Sequence, residues 1–296
     1  MDEVLHCYRH PDRETRVSCS ECGRGVCPDC MVFAPVGIRC LDHATQGRQA
    51  PRPAMPQRVR STRSGFLAQE GIVTRILIGL NISVFAVNLL QGASMGRNGG
   101  RLFENWLLIA QGVDSHGDLV GVAEGQWYRM LTAAFLHGGI VHLAFNMYFL
   151  WIIGTAMEVT IGRWRYLALY LVSALAGSAG ALLISPNVPT VGASGALFGI
   201  LGAAVVFERQ GSHVLGGQAL GIALINFALT FLIPNISFGG HLGGFVGGIL
   251  CGLAMTRFGR GHAAYGRLGA IGIVGFVAVA VGSFAVAYFK VRGYTS

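Results

Sequence analysis

The chain has 296 residues, of which 52% are hydrophobic and only 12% are charged, and its mean hydropathy is +0.54. This composition is far too apolar for a soluble globular protein of that length and predicts an integral membrane protein. The formal net charge of +8 reflects arginines that precede the first long apolar segment. Their position favours contact with anionic lipids over a nucleic-acid partner, and a solvated basic linker is the alternative interpretation.

The first 43 residues carry six of the seven cysteines, which form four pairs with two histidines. The pairs are Cys7 and His10, Cys19 and Cys22, Cys27 and Cys30, and Cys40 and His43. A gap of two residues lets both side chains of a pair face one ion, and two pairs complete the tetrahedral coordination of Zn²⁺. Eight ligands therefore predict two structural zinc ions, because paired histidines and a reducing compartment disfavour a disulfide framework.

The same pattern resembles the cross-braced B-box and RING-like fingers, in which alternate pairs share a metal. The resemblance implies a first group of Cys7, His10, Cys27 and Cys30 and a second group of Cys19, Cys22, Cys40 and His43. About 40 residues bury too little apolar surface to fold alone, so the metals are expected to supply the folding energy. The segment 1–43 is predicted to dock a protein partner. Nothing in it indicates ubiquitin ligase activity or DNA binding.

Residues 44–70 contain three prolines among scattered arginines and are predicted to form a flexible basic linker. From Ile72 onward, apolar runs recur that are long enough to cross a hydrocarbon core ~30 Å thick. The seven runs lie near residues 72–91, 140–158, 164–184, 193–208, 216–233, 240–257 and 268–289. The predicted fold class is therefore an all-α polytopic membrane protein, in which a long loop over 92–139 separates the first two spans.

The distribution of arginine predicts the orientation of these spans. No long apolar stretch precedes Ile72, so no secretory signal peptide is expected and the amino terminus is predicted to be cytosolic. The loops near 185–192 and 234–239 carry no lysine or arginine and are expected outside, whereas the arginine-bearing short loops are expected inside. The protein is then a multi-pass protein, expected in the plasma membrane. Ser194 and His241 are both expected near the outer face of that membrane.

Few strongly polar side chains lie within the spans, and each is costly enough in lipid to suggest a protected cavity. They are His142, Asn146, Glu158, Ser194 and His241. Residues four apart share one helix face, which pairs His142 with Asn146 and Ser194 with Phe198. Glycines in small-xxx-small spacing would let the helices of Ser194 and His241 approach closely; they are Gly195, Gly199, Gly240, Gly244 and Gly248. Taken alone, such a serine is usually structural.

Residues 128–248 resemble the rhomboid family of intramembrane serine proteases, with the motifs in the same order. The resemblance is carried by Arg129, the segment HGGIVHLAFNM from His137, Glu158, GASG at 192–195 and GGHLGGFVGG at 239–248. It implies a six-helix core, here residues 71–258, and the seventh span and tail over 259–296 lie outside that core. It also implies Ser194 as nucleophile and His241 as general base and then acid.

The same resemblance implies an oxyanion hole formed by His142, Asn146 and the Ser194 backbone N–H, with Gly192 keeping the preceding loop open. Phe198 stands where some members carry tyrosine, so stacking on His241 is implied without a hydroxyl contact. No third member of a triad is expected. Glu158 and Glu208, the only acids after Arg129, are assigned to cytosolic helix ends.

The predicted function is that of a serine-type endopeptidase. It would cleave transmembrane segments of single-pass or polytopic membrane proteins near the outer face by a Ser-His dyad, without a catalytic cofactor. Membrane lipids and a protein that binds the zinc domain are the other expected partners, and no nucleic acid is expected. One alternative is an inactive rhomboid-like binder or quality-control factor, which the presence of both Ser194 and His241 disfavours. A transporter is also disfavoured, because neither an inverted repeat nor a midplane acid is visible.

Overall fold

The computed structural model describes residues 5–34, 37–46, 71–93, 99–233, 236–256 and 269–294. It divides into two compact units, Met1–Arg63 and Ser64–Ser296. Most of the predicted linker, from residue 47 to residue 70, lies outside the described residues.

The first unit is built on two short antiparallel hairpins and one helix. Strands β1 (Leu5–Cys7) and β2 (His10–Thr15) form the first hairpin, strands β3 (Met31–Phe33) and β4 (Ile38–Cys40) form the second, and helix α1 follows at Leu41–Gln46. The pattern of cysteines predicted the finger but not these strands. Helix α1 continues three residues past residue 43, the predicted end of the finger. Among the residues of this unit that the structure describes, five cysteines and Val26 are the buried apolar side chains, so the described interior consists mainly of candidate metal ligands.

The second unit is helical, as the apolar runs predicted. Its helices are α2 (Ile72–Leu90), α3 (Arg101–Trp106), α4 (Arg129–Thr132), α5 (Ile140–Phe149), α6 (Thr155–Ile161), α7 (Arg163–Ile184), α8 (Ser194–Arg209), α9 (Ala219–Leu232), α10 (Phe238–Thr256) and α11 (Ala270–Val291). Single turns of 3₁₀-helix lie at Ala133–Phe135 and Arg292–Tyr294. Each of the seven predicted runs contains a helix.

Within the described ranges, five helical stretches are long and apolar enough to cross a membrane: Ile72–Leu90, Ile140–Ile161, Arg163–Ile184, Phe238–Thr256 and Ala270–Tyr294. The stretch Ile140–Ile161 includes a turn of π-helix at Leu150–Gly154, which joins α5 to α6. Helices α8 and α9 are shorter, with 16 and 14 residues. The chain is therefore a multi-pass integral membrane protein of the all-α class.

Helix α8 lies at the centre of the bundle between α7 and α10. Twelve consecutive residues of α8, from Ala196 to Phe207, are buried, as expected for a helix that is apolar on all sides. A Cβ at Gly244 would coincide with the carbonyl oxygen of Gly195, and a Cβ at Gly248 with that of Gly199. The backbones of α8 and α10 are therefore in direct contact, as the spacing of these glycines predicted.

The predicted loop over 92–139 is a packed substructure rather than an open connection. It contains α3 and a hairpin of β5 (Gly112–Val113) and β6 (Leu119–Val120). Arg129 is fully buried beneath it and donates from Nη1 to the carbonyl oxygens of Glu104 and Leu107, at 2.7 and 2.9 Å. Burial lowers the pKa of this guanidinium. The arginine thus ties α4 to the backbone that precedes it.

Helix α11, which is the seventh predicted span, packs against this same substructure. Ala287 and Val291 of α11 belong to one buried cluster with Leu108 and Met130, and Tyr294 donates from its hydroxyl to Asn187 Oδ1 at 2.9 Å. Asn187 lies in the connection between α7 and α8. The backbone of this connection also forms hydrogen bonds with the backbone of the substructure. Helix α11 is therefore an integral part of the end of the bundle at which α8 begins.

Two glutamates cap helices at the opposite end. The carboxylate of Glu158 accepts hydrogen bonds from the backbone N–H groups of Val73 and Thr74, at 3.0 and 2.8 Å, and so fixes the start of α2. Glu208 accepts from the backbone of Leu215, Gly217 and Ala219 and fixes the start of α9. Carboxylates are favourable at helix N-termini because the free N–H groups and the helix dipole attract negative charge. Both acids therefore have structural partners far from Ser194.

Candidate active site

Ser194 is the first residue of α8 and is half-buried. The backbone before it turns sharply at Gly192, whose φ of 124° is in the region that favours glycine. The Gly192 N–H donates to the carbonyl oxygen of Ala133 at 2.9 Å, which fastens this turn to the α4 region. The first N–H groups of a helix have no partner within the helix, so the backbone N–H of Ser194 is available to a ligand.

His241 lies in the first turn of α10, and its imidazole stacks on the ring of Phe198. The ring centroids are 4.0 Å apart and the planes are inclined by 18°. Phe198 follows Ser194 by four residues, so its ring lies on the same face of α8, one turn below the hydroxyl. His241 is 6% exposed, so the ring is held in a buried position beside the start of α8.

In the described part of the chain, no hydrogen bond joins Ser194 Oγ to His241. Both residues nevertheless lie where α8 and α10 touch, since a Cβ at Gly195 would be 3.3 Å from the carbonyl oxygen of Gly240. Hydrogen bonds between a nucleophile and its base are often long without substrate and tighten in the substrate complex. Ser194 and His241 therefore lie at the same contact between α8 and α10, but their side chains are not hydrogen-bonded to each other.

The ring of His142 lies near Ser194 beside Gly192, and its hydrogen bonding defines which ring nitrogen carries the proton. The backbone N–H of Gly138 donates to Nδ1 of His142 at 3.3 Å. A neutral imidazole has one donor and one acceptor nitrogen, so Nε2 of His142 must carry the proton. A Cβ at Gly192 would be 2.8 Å from this Nε2 and 3.7 Å from Ser194 Oγ. The Nε2–H group and the serine hydroxyl thus border the same small space.

Asn146 is one turn further along α5 and is buried. Its Nδ2 donates to the carbonyl oxygen of His142 at 2.9 Å, which leaves the second N–H of the amide for another acceptor. The π-helical turn begins at Leu150, and the hydroxyl of Tyr166 occupies the space that a Cβ at Gly154 would need. Such π-bulges are frequent near functional sites. No feature of the amino-acid sequence predicted this π-helical turn.

His137 is also buried, and its ring meets the His142 ring edge-on with centroids 5.1 Å apart. The His137 ring therefore packs directly against the His142 ring. Sequence reasoning missed Thr230 of α9, whose hydroxyl oxygen is 2.7 Å from Nδ1 of His241. It also missed Phe227, whose ring packs on Phe198 with centroids 4.7 Å apart. The feature of the sequence that could have pointed to Thr230 was a hydroxyl-bearing side chain within the predicted fifth span.

In the first unit, the eight candidate metal ligands form two clusters. The first contains Cys7, His10, Cys27 and Cys30, the second contains Cys19, Cys22, Cys40 and His43, and the ligand atoms within each cluster lie within 4.8 Å of one another. These are the two groups that the resemblance to cross-braced fingers implied. Zinc–sulfur and zinc–nitrogen bond lengths set ligand atoms about 3.5–3.8 Å apart in a tetrahedral site.

The observed separations fit that geometry. Nδ1 of His10 lies 3.8, 3.4 and 3.4 Å from the sulfur atoms of Cys7, Cys27 and Cys30. Nδ1 of His43 lies 3.7 and 3.3 Å from the sulfur atoms of Cys19 and Cys40, and the sulfur atoms of Cys22 and Cys40 are 4.0 Å apart. Three thiols and one imidazole form a donor set that suits Zn²⁺.

Comparison with known proteins identifies the family of the membrane unit. The rhomboid domain family model matches residues 124–258. The rhomboid protease GluP of Bacillus subtilis is 36% identical over 186 residues, which are 62% of this chain and 34% of that relative. YdcA, a further rhomboid of that bacterium, is 35% identical over 136 residues, which are 44% of this chain and 68% of YdcA. Rhomboid-type serine protease 2 of Emericella nidulans is 39% identical over 143 residues, which are 46% of this chain and 28% of that protein.

The chain therefore belongs to the rhomboid family, since it matches YdcA over more than two thirds of the length of that relative. It spans only about a third of the length of GluP and of the Emericella protein. The match of the family model lies wholly within the membrane unit, so it gives no information about the cysteine-rich unit.

Proposed function

We propose that the chain is an intramembrane serine endopeptidase that cleaves transmembrane segments of single-pass or polytopic membrane proteins. The observation that carries this proposal is the imidazole of His241 stacked on Phe198 at the α8–α10 contact, one turn from Ser194. A histidine and a serine at such a contact within a membrane domain are expensive unless they line a hydrated site. GluP is named a rhomboid protease and the Emericella relative a rhomboid-type serine protease, which supports the same activity for this chain.

In the proposed mechanism, Ser194 Oγ attacks the carbonyl carbon of the scissile peptide while His241 Nε2 accepts the hydroxyl proton. The tetrahedral intermediate then collapses as His241 returns that proton to the leaving amine, and an acyl-enzyme remains on Ser194. Water, deprotonated by His241, attacks the ester and releases the carboxyl product. The returning proton restores the Ser194 hydroxyl. Ser194 and His241 thus act as a dyad, since Glu158 and Glu208, the only acids after Arg129 in the sequence, cap helices far from Ser194.

Three donors are suited to hold the oxyanion of the intermediate: the Nε2–H of His142, the free amide N–H of Asn146 and the backbone N–H of Ser194. Donors aimed at a developing oxyanion typically contribute about 2.7–4 kcal/mol each. The Nε2–H of His142 is fixed as a donor by the Gly138 backbone. Gly192 leaves the space between this donor and Ser194 open, which a larger residue would fill.

The length of α8 supports cleavage below the membrane surface. A helix of 16 residues is about 24 Å long, less than the ~30 Å hydrocarbon core. If the Arg209 end of α8 lies at the cytosolic surface, Ser194 lies just inside the outer surface. A substrate helix must unwind there to expose its carbonyl, so residues that break helices should favour cleavage.

We also propose that residues 1–43 bind two structural zinc ions and that these ions take no part in catalysis. The two clusters of sulfur and nitrogen atoms at tetrahedral separations support this proposal. The finger is proposed to be cytosolic and to dock a protein partner, with residues 44–70 as its linker. The six-helix core at 71–258 and the seventh span at 259–296 would then lie in the plasma membrane, in contact with lipid.

The test is cleavage of a reporter protein with one transmembrane helix by the purified full chain in proteoliposomes. Wild-type protein should cleave the reporter, whereas the variants Ser194→Ala and His241→Ala should not. Ser283→Ala is a matched control, because the Ser283 hydroxyl bonds only its own helix through the Val279 carbonyl oxygen. Equal cleavage by wild type and both site variants would refute the dyad. Reporter binding without cleavage by wild type would instead support an inactive membrane-protein binder.

A further inference from the structure

Thr230 is the buried polar residue that α9 places beside His241. Of the residues in α9, only Ala219, Ala223 and Thr230 are fully buried, and the first two lie in its first five residues. Thr230 is 5% exposed, whereas its neighbours Leu229, Phe231 and Leu232 face outward. The polar side chain of Thr230 is therefore the one that α9 buries near the candidate active site.

The hydroxyl of Thr230 lies between two groups that together determine its role. Its oxygen is 2.7 Å from Nδ1 of His241 and 3.0 Å from the carbonyl oxygen of Asn226. The hydroxyl has one proton, and a carbonyl oxygen can only accept. If the hydroxyl proton goes to Asn226, the Thr230 oxygen must accept a proton from Nδ1 of His241. Both contacts are then satisfied, whereas donation to Nδ1 would leave the carbonyl contact without a proton.

This arrangement determines the tautomer of His241. A neutral imidazole with its proton on Nδ1 has a bare Nε2, which is the form that can remove a proton from a serine hydroxyl. In serine proteases with a triad, a carboxylate on Nδ1 fixes the same tautomer and orientation. Here the tautomer is opposite to that of His142, whose Nδ1 is an acceptor.

The same helix also supports the stacking partner of His241. Phe227 precedes Thr230 by three residues and packs on Phe198, and Phe198 in turn stacks on the imidazole. One face of α9 therefore contacts His241 directly through Thr230 and indirectly through Phe227. Movement of α9 away from α8 and α10 would remove both contacts together.

We propose that Thr230 is a positioning residue that keeps His241 in the Nδ1–H tautomer, so that the base is competent only while α9 is packed against α8 and α10. This inference rests on the proposed function and adds a role for α9 to it. A substrate that displaces α9 on entry must therefore allow Thr230 to return to His241 before proton transfer. Loss of the Thr230 hydroxyl should lower kcat and leave KM nearly unchanged, because the residue acts through His241 and not through substrate binding.

The test uses the full chain in proteoliposomes with the same reporter and compares Thr230→Val with Thr230→Ser. Valine keeps the shape of threonine but cannot accept the Nδ1 proton, so kcat should fall about 10- to 100-fold, as expected for a buried donor left unpaired. Serine keeps the hydroxyl and should restore kcat to within about threefold of wild type. The matched control is Thr160→Val, because Thr160 makes a similar bond to its own helix, to the Ala156 carbonyl oxygen, without a histidine.

A measurement without substrate gives an independent readout. The ¹⁵N chemical shifts of the His241 ring, assigned by comparison with His241→Gln, should report the Nδ1–H form in wild type and a loss of that form in Thr230→Val. If Thr230→Val does not fold, Thr230→Ala against Thr230→Ser provides the same comparison.

The outcomes separate the two proposals. If wild type does not cleave, or Ser194→Ala cleaves as wild type does, the proposed function fails. If those results are as expected but Thr230→Val matches Thr160→Val in kcat and in its ¹⁵N shifts, only the role of Thr230 is overturned. A rise in KM with unchanged kcat would also overturn it, because that result indicates a substrate contact.

Discussion

The imidazoles of His142 and His241 have opposite hydrogen-bonding arrangements at Nδ1. The Gly138 backbone donates to Nδ1 of His142, whereas Nδ1 of His241 faces the hydroxyl of Thr230. One ring therefore presents a proton on Nε2 and the other presents a bare Nε2. An oxyanion donor and a general base need these two forms, and two local backbone and hydroxyl contacts provide them without a carboxylate.

Replacing Phe198 with leucine should lower kcat about 3- to 10-fold, because stacked aromatic contacts contribute about 0.5–1.5 kcal/mol beyond their buried area. The imidazole would lose the ring that fixes its plane. Phe198→Tyr keeps the stacking and should retain most of the activity. Steady-state cleavage of the reporter measures both variants. A leucine variant as active as the tyrosine variant would show that stacking does not position His241.

Replacing Gly192 with alanine should abolish cleavage and lower stability by about 1–3 kcal/mol, the usual cost of a strained backbone. The new methyl group would meet His142 at 2.8 Å, and the φ of 124° disfavours any side chain. Thermal unfolding and reporter cleavage measure the two effects. Gly282→Ala is the control, because nothing lies within 4 Å of a Cβ there. Normal cleavage by Gly192→Ala would contradict the described geometry of the oxyanion hole.

Replacing Gly248 with alanine should destabilise the membrane unit, because its methyl group would overlap the backbone of Gly199 and force α8 and α10 apart. Overpacking of this kind costs about 1–3 kcal/mol. Gly199 lies only five residues, about one and a half turns, after Ser194 on α8, so the separation would reach the candidate site along the helix contact. Thermal unfolding in detergent checks the prediction against the same Gly282→Ala control. Unchanged stability would mean that the two helices do not touch at this level.

The first unit should contain two zinc ions per chain, measured by elemental analysis of reduced protein. Cys27→Ser and Cys40→Ser should each reduce the content to about one, because they remove ligands from different clusters. Cys251→Ala, in α10, should leave it at two. Zinc should dissociate as the pH falls, because protons compete with the metal for thiolate and imidazole ligands. If neither Cys27→Ser nor Cys40→Ser changes the zinc content, the assignment of two metal clusters is contradicted.

Several features were predictable because they depend on local spacing. The gaps of two residues predicted the metal pairs, the gap of four aligned His142 with Asn146, and the glycine repeats predicted the α8–α10 contact. The cost of polar groups in lipid placed Ser194 and His241 among five candidate residues, and the resemblance to the rhomboid family then implied their roles. These rules need no knowledge of distant contacts.

Other features depend on tertiary contacts and had no local signal. Thr230 was missed because a threonine in a membrane helix usually bonds only its own helix, and its second partner, His241, comes from another element. Helix α3 and the β5–β6 hairpin were predicted only as a loop, since their short segments are stabilised by packing around Arg129. The cap that Glu208 places on α9 and the π-turn at Leu150–Gly154 likewise arise from the fold.

Covalent labelling can show whether Ser194 is a nucleophile activated by His241, as proposed. The full chain in proteoliposomes is treated with a fluorophosphonate, which forms a bond with an activated serine oxygen as fluoride leaves, and the adduct is mapped by mass spectrometry. We expect one adduct per chain on Ser194, a rate at least about 100-fold lower for His241→Ala, and an unchanged rate for Ser283→Ala. Absence of an adduct on wild type, an adduct on another serine, or equal labelling of His241→Ala would contradict the account.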